Sequence, residues 1–594
     1  MSYAPPLEEM RFALEAMAGI DRLRAIGTEA IDAETIEQIL TEAGKLARDR
    51  IAPLNHVGDR TGSRLDNGVV RTPPGWQAAY DAFVAGGWNA LPFDPEHGGQ
   101  ALPWSLATAV HEMWESASLS FALCPLLTAG ATDLLQAHGS AAQKATYLRH
   151  MIAGTWTGTM NLTEPHAGSD VGALRTRAVR DGDRYRITGQ KIYITYGDHD
   201  LTENVIHMVL ARTPDAPAGS RGISLFIVPK FLVGPDGRPG ARNDVRVVSL
   251  ENKLGIHASP TCVMAYGDDG GAIGELVGEE NRGLEYMFTM MNNARLAVGL
   301  QGVAIAERAY QQARAYALNR VQGREIGATS SAPVPIARHP DIRRMLLTMR
   351  SGTEAARGLT YSAAVELDLA RQHPDPAARA AHQARVDLLI PVVKSWATDL
   401  GVEIASMGVQ IHGGMGFIED TGAAQHYRDA RILPIYEGTN GIQANDLVFR
   451  KLGRDRGAAA IALLDEIDAT AATLAARPED PARAIAMRLK QGAAALRSAT
   501  ETLVAQQAAA PREAAAGASI YLRLFGLVAG GHVLAVGAAA ALDRIAASNS
   551  DSFATRKLTT ARFYADHWLS QAPGLLHAAT SGGAALDGLD DDDV

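Results

Sequence analysis

Residues 156–195 read WTGTMNLTEPHAGSDVGALRTRAVRDGDRYRITGQKIYIT, and here the character of the chain changes. Short runs rich in β-branched and aromatic residues, divided by Gly, Asp and Pro, replace a helical spacing. Similar runs continue through NVIHMVLAR (204–212), GISLFIVP (222–229), DVRVVSL (244–250) and TCVMAY (261–266). No long helical pattern separates them, so a small β-barrel or sandwich is expected rather than a parallel sheet. Within it, RYRIT, Gly189-Gln190 and KIYIT predict strand, turn, strand.

On both sides the pattern is helical. Upstream, IEQILTEAGKLARDRIAPL (36–54) places Ile36, Ile39, Leu40 and Leu46 on one face, with Pro53 closing the helix. Downstream, ARLAVGLQGVAIAERAYQQARAYAL (294–318) is Ala-rich and amphipathic, and 355–409 continues in the same way. A composition shift near Gly453 opens a further Ala-rich segment with Leu463, Leu464, Ile467 and Leu474 on one face. There is no internal repeat. The expected architecture is mostly α with a central β domain: helical 1–155, β 156–280, helical 281–452 and an additional helical unit 453–594. The 594 residues give about four units at roughly 150 residues each.

Lys and Arg number 56 against 66 Asp and Glu, a net charge of −10, which argues against a broad surface for nucleic acid or anionic lipid. Cys124 and Cys262 are the only cysteines, too few for a disulfide framework or a thiolate zinc site, and a reducing cytoplasm is the natural setting. The N-terminus lacks the basic-then-apolar pattern of a secretion signal. The apolar stretch 525–542 falls short of about 20 residues and reads as a buried helix, not a membrane span. The acidic tail Asp590–Asp593 reads as a solvated end.

Several chemistries are missing. The sequence has no HExxH, paired CxxC, GxSxG or GxxxxGK[ST]. HEMWE (111–115) has Glu115 where a second metal-binding His would stand, so it reads as part of a surface helix. The glycines of QIHGGMGF (410–417) follow a helical stretch and no strand, which excludes a dinucleotide-binding crevice of the parallel-sheet type.

Three motifs carry chemistry. NLTEPHAGSD (161–170) gathers Thr163, Ser169 and small residues into a loop suited to an anionic or carbonyl-rich ligand, although an ordinary capped turn uses the same residues. KIYIT (191–195) sets Tyr193 and Thr195 on one strand face, as a wall for a flat ring or as routine strand composition. RDARILPIYEGTNGIQAND (428–446) places Glu437 between an apolar run and Gly438-Thr439. Desolvation raises a carboxyl pKa, and a general base works best with a pKa near operating pH.

In order with KLGIHASPTC (253–262), LVGEENRGL (276–284), ALNRVQGR (317–324) and QIHGGMGF, these motifs resemble the acyl-CoA dehydrogenase family over about residues 30–450. The helical extension resembles the long subgroup that includes 3-methylmercaptopropionyl-CoA dehydrogenase. The resemblance implies a non-covalent FAD, a homodimer or dimer of dimers, an acyl-CoA substrate and an electron-transfer flavoprotein as acceptor. By motif position, Met160, Leu162, Thr163, Ser169, Tyr193, Thr195 and Thr439 would meet the FAD. Arg320, Gln322, His339, Gln410, Gly413 and Gly414 would reach its pyrophosphate and adenosine from the neighbouring subunit. Glu437 matches the family's base, which removes the pro-R α-proton as hydride leaves the β-carbon. Ser169, Asn292, Arg295 and Gly438 would contact the CoA ester or support the base. Some members carry the base on a helix just before an arginine; here that position is Ala294. A short or functionalised acyl chain, such as 3-(methylthio)propanoyl, follows from the subgroup. Tyr193 in place of a frequent Trp and His166 in place of a frequent Gly are departures. An oxygen-using acyl-CoA oxidase and a DNA-associated alkylation-response flavoprotein of the same fold are the alternatives.

Overall fold

A computed structural model describes residues 3–27, 32–548, 551–581, 583–588 and 592. Of the acidic tail only Asp592 falls among them; the expectation for the rest lies outside the described residues. The N-terminal part is helical. Asp32 caps α1 (Ala33–Leu46) by accepting from the Thr35 N–H at 2.6 Å, and the chain continues as a π-turn to Ile51 before Pro53. Two core helices follow, α2 (Trp104–Ala117) and α3 (Leu119–His138).

The surface-helix expectation for HEMWE is wrong. Nearly all of α2 is buried, with Glu112 wholly enclosed. Glu112 accepts from Arg357 Nε at 2.9 Å, Arg357 Nη2 at 2.6 Å and the Tyr361 hydroxyl at 2.6 Å. Arg357 Nη2 also reaches Glu307 at 2.8 Å. Glutamates look like surface residues in sequence, but one bound by an equally buried guanidinium can sit in a core.

The central sheet has eight strands: β1 (Trp156–Asn161), β2 (Arg177–Asp181), β3 (Arg184–Thr195), β4 (Asn204–Ala211), β5 (Ser224–Pro229), β6 (Val245–Leu250), β7 (Thr261–Tyr266) and β8 (Ala272–Leu276). Their order is β6-β7-β3-β8-β5-β4-β1, with β2 on β3; only β1 and β4 run parallel. The described ladders form an open, branched and curled sheet. The predicted turn at Gly189-Gln190 is absent, because β3 runs unbroken through it. Its first half pairs with β2 and β8 and its second half with β7, so Gly189 marks the exchange of partners. A Cβ there would stand 2.5 Å from Thr176 Oγ1, so close approach, not a reversal, explains the glycine.

Three long helices form the next layer: α4 (Gly283–Asn319), α5 (Pro340–Gln372) and α6 (Pro376–His412). Helices α4 and α6 cross almost backbone to backbone, since a Cβ on Gly302 would lie 2.2 Å from the Ala397 carbonyl oxygen. After the short α7 (Asn440–Asn445), the C-terminal helices include α8 (Ala458–Ala475), α9 (Asp480–Ala509), α10 (Pro511–Ala547) and α11 (Ser552–His567). The 525–542 stretch lies in α10 and is largely buried, as expected. Helices α3 and α10 are long and apolar enough to cross a membrane, but 94% and 78% of their apolar windows are packed inside the protein. Trp396 of α6 lies beneath α10, where a Cβ on Gly526 would fall 2.2 Å from its ring. Cys124 and Cys262 are buried free thiols.

Candidate active site

Glu437 hangs from the loop leading into α7. Its φ is +57° and that of Gly438 is +81°, two successive left-handed residues, the first of them not glycine. That conformation costs a glutamate roughly 1–2 kcal/mol, and the surroundings have to hold it. They do so from three sides. Lys394 Nζ, fully buried on α6, donates to the Gly438 carbonyl at 2.9 Å and to Asn440 Oδ1 at 2.8 Å. Gln443 Nε2 donates to the Glu437 carbonyl at 3.3 Å. Thr439 caps α7 by accepting from the Ile442 N–H at 3.2 Å, and the Asn440 N–H closes the turn on the Pro434 carbonyl at 3.0 Å.

Protein crowded round the Glu437 carboxyl pushes its pKa up to about 7, while Arg295 and Lys394 pull the other way. Arg295 is 8% exposed and donates through Nη1 to Asn292 Oδ1 at 3.2 Å. Burial also lowers Lys394, to about 7. A carboxylate that ionises near neutral pH between two cations can accept a proton without being permanently paired.

The loop after β1 is fastened to β3. The Ile192 N–H donates to the Thr163 carbonyl at 2.9 Å. Beneath it lies a buried ion pair: Lys191 Nζ reaches Glu164 Oε1 and the Leu162 carbonyl, each at 2.9 Å. Glu164 also accepts from Arg175 N at 2.6 Å and from Thr176 N and Oγ1 at 3.0 and 2.6 Å. Burial works against its charge, but Lys191 and these donors hold Glu164 below the usual carboxylate range. Met160 is half-buried near the end of β1, and Leu162 is buried as part of the hydrophobic cluster that also contains Met287 and Met290. Thr163 is half-buried and Ser169 exposed. Tyr193 sits at φ +60°, where the β3–β7 register shifts, and is 61% exposed; Thr195 is half-buried. His166, within the same loop, has its Nε2 3.2 Å from the Ala173 carbonyl.

The remaining residues cluster elsewhere. Arg320 Nη2 donates to Gln322 Oε1 at 3.2 Å, and His339 Nε2 lies 2.7 Å from the Gln322 carbonyl. Gln410, Gly413 and Gly414 are exposed at the end of α6. His412 stacks on Tyr316 of α4 with centroids 4.4 Å apart, so these two groups neighbour each other. Along α4, Arg320 stands 25 residues from Arg295, roughly 37 Å at 1.5 Å per residue. The expected residues thus fall into three groups: the base loop with Arg295, the β-side loop, and a cluster at the far end of α4. Lys394, Lys191 and Glu164 were not anticipated; the local signal was Lys394 inside the apolar run LLIPVVKSW (388–396).

A mainly helical chain with a curled β domain and a carboxylate whose pKa is raised to about 7 beside the middle of α6 is the arrangement of the acyl-CoA dehydrogenases, and the chain belongs to that family of flavin-dependent oxidoreductases acting on acyl-CoA. Its N-terminal, middle and C-terminal domain models match residues 33–155, 159–268 and 281–452, and an acetyl-CoA dehydrogenase C-terminal-like model matches 463–590. Over 99% of both chains it is 48% identical to 3-methylmercaptopropionyl-CoA dehydrogenase of Ruegeria pomeroyi. It is also 34% identical, over 96% of this chain and 95% of the other, to a broad-specificity linear acyl-CoA dehydrogenase of Mycobacterium tuberculosis. An acyl-CoA dehydrogenase of Bacillus anthracis solved with FAD shares the fold, with TM-score 0.73 and 20% identity over 97% of this chain and 93% of that one.

The residues present fit FAD. Among the described residues, nothing beyond their own chain neighbours stands within 4 Å of where a Cβ would lie on Gly168, Gly413 or Gly414, so bare backbone borders open space at the β-side loop and at the end of α6, as close approach of a pyrophosphate requires.

Proposed function

We propose that this protein desaturates a short or functionalised acyl-CoA, with 3-(methylthio)propanoyl-CoA the preferred substrate, to the trans-2-enoyl-CoA, and that Glu437 is the α-proton base. The observation that carries this is the Glu437 loop, a strained backbone whose Gly438 and Glu437 carbonyls are held by Lys394 and Gln443, carrying a carboxyl with its pKa raised to about 7. The substrate class rests on the 48% identical relative.

FAD, when bound, accepts the hydride from the β-carbon. Thr163, Ser169, Tyr193, Thr195, Thr439 and the backbone of Met160 and Leu162 would hold it, and Ser169, Asn292, Arg295 and Gly438 would receive the thioester. Glu437 takes the α-proton through its carboxylate oxygen. Among the described residues the Glu437 N–H has no backbone acceptor, which leaves it available to the thioester oxygen as negative charge develops there. One such donor contributes about 3 kcal/mol in a transition state.

Arg320, at the end of α4 roughly 37 Å from Arg295 at 1.5 Å per residue, is clustered with Gln322 and His339 and neighbours Gln410, Gly413 and Gly414 at the end of α6; that distance supports their reaching the FAD of a second copy. Around them Phe417 is 86%, Ile326 79% and Met415 50% exposed, an apolar surface suited to a homodimer contact. Exposed Tyr193 supports electron exit to an electron-transfer flavoprotein, and buried reduced cysteines suit the cytoplasm. Peroxide formation at full turnover without another acceptor would instead identify an oxidase.

The test is anaerobic bleaching of the enzyme's flavin by 3-(methylthio)propanoyl-CoA and by straight-chain esters. Glu437→Gln should retain FAD and lose bleaching at least 1,000-fold. Retained bleaching removes Glu437 as the base, and bleaching only by chains of twelve or more carbons removes the substrate class.

A further inference from the structure

A second concavity of about 650 Å³ lies apart from the base loop, between the N-terminal segment, α4, α5 and α11. Its walls carry many charges, and most of them are already spent. Glu307 is held by Arg357 at 2.8 Å and by Gln311 Nε2 at 2.8 Å. Glu354 takes Arg350 Nε at 2.7 Å and Lys557 at 3.0 Å, and Glu9 is shared between the same Arg350 and Lys557. Every carboxylate of the lining is therefore matched by a cation within the wall.

Among the described residues, three lining guanidiniums form no ion pair with a carboxylate: Arg314 and Arg556, both exposed, and the buried Arg308, on which Glu307 acts only through space; Arg556 donates to Ser552 Oγ at 3.2 Å. Arg308 decides the matter. It is 7% exposed, its Nε has no hydrogen-bond partner among the described residues, and its guanidinium lies over the ring of Tyr3 at 5.5 Å. The unpartnered Nε–H of a buried guanidinium is costly to desolvate, whereas an anion entering the concavity would supply it with a charge-assisted hydrogen bond. Planar guanidinium forks at mouth and floor match phosphate oxygens, and the volume admits a molecule of nucleotide size.

We propose that this crevice binds a small phosphate-bearing anion, held by Arg308 at its floor and by Arg314 and Arg556 at its mouth. The site is separate from the residues assigned to FAD and acyl-CoA, so it does not depend on the proposed reaction. The shared chemistry is the phosphate group, whether free or carried on a nucleotide.

Calorimetry on the FAD-loaded full chain, saturated with CoA to fill the active site, would use inorganic phosphate, pyrophosphate and adenosine 3′,5′-bisphosphate as separate probes. One equivalent per chain of at least one probe should bind, and weaken at least 10-fold in Arg308→Met and in Arg314→Gln. The strongest of the three distinguishes a free phosphate from a nucleotide source. Arg314→Gln changes an exposed side chain, so its result stands even if Arg308→Met folds poorly, and its flavin bleaching should be unchanged. No binding at millimolar probe, or binding that neither substitution weakens, overturns the proposal.

Discussion

At Glu437 the same burial that tunes the base also sets a stability cost. A carboxyl whose folded pKa is raised binds its proton more tightly folded than unfolded, so it weakens the fold as pH rises from the ordinary carboxylate range through about 7. Glu437→Gln should therefore raise the thermal midpoint at pH 8, with the difference vanishing toward pH 4.5; melting curves across that range check it. Lys394 acts in the opposite sense on the same carboxyl. In Lys394→Met the base should ionise at higher pH, so the midpoint of the flavin-bleaching rate against pH moves above that of the wild type, with the rate at pH 7 at least 10-fold lower. Stopped-flow bleaching measures both, and an unshifted profile would reduce Lys394 to a packing role. The base was legible in the sequence because its loop chemistry is local: apolar run, Glu, Gly, Thr. Lys394 and the Lys191–Glu164 pair were not, since whether a lysine lies in water or under a turn is decided by residues 27 to 46 positions away, beyond the reach of any local pattern.

The elements were legible where the period was clean and misread where packing overrode it. β3 passes through Gly189 because neighbouring strands change there, and only the sheet order contains that fact. HEMWE is expected on a surface helix because of its two glutamates, but Glu112 finds its partners, Arg357 and Tyr361, on α5. The α4–α6 crossing has the clearest consequence for function. Arg295 lies on one helix and Lys394 on the other, and the two close backbones fix their separation across the base loop. Gly302→Ala must push those backbones apart and should cost about 1–3 kcal/mol. The thermal midpoint and the bleaching rate should fall together, while FAD content at low temperature stays near that of the wild type.

Across the whole molecule, the C-terminal helices are part of the catalytic body. Trp396 lies under α10 two residues beyond Lys394, and the Trp568 indole N–H donates to Ser351 Oγ of α5 at 3.2 Å. A chain ending at Leu452 would bare this apolar floor, so it should aggregate or lose bleaching; a soluble and active truncation, seen by size-exclusion chromatography and assay, would separate the extension from catalysis. The two cysteines have a different consequence. Cys262 has its thiol pushed up to about 12 by burial, Cys124 is raised further, and both are 1% exposed or less. A thiol without thiolate or access is inert to alkylating labels. The native protein is thus a ready-made blank for site-specific chemistry: one cysteine introduced at exposed Phe417 would carry a single dye or spin probe at the apolar surface, with no need to strip out the natural thiols first.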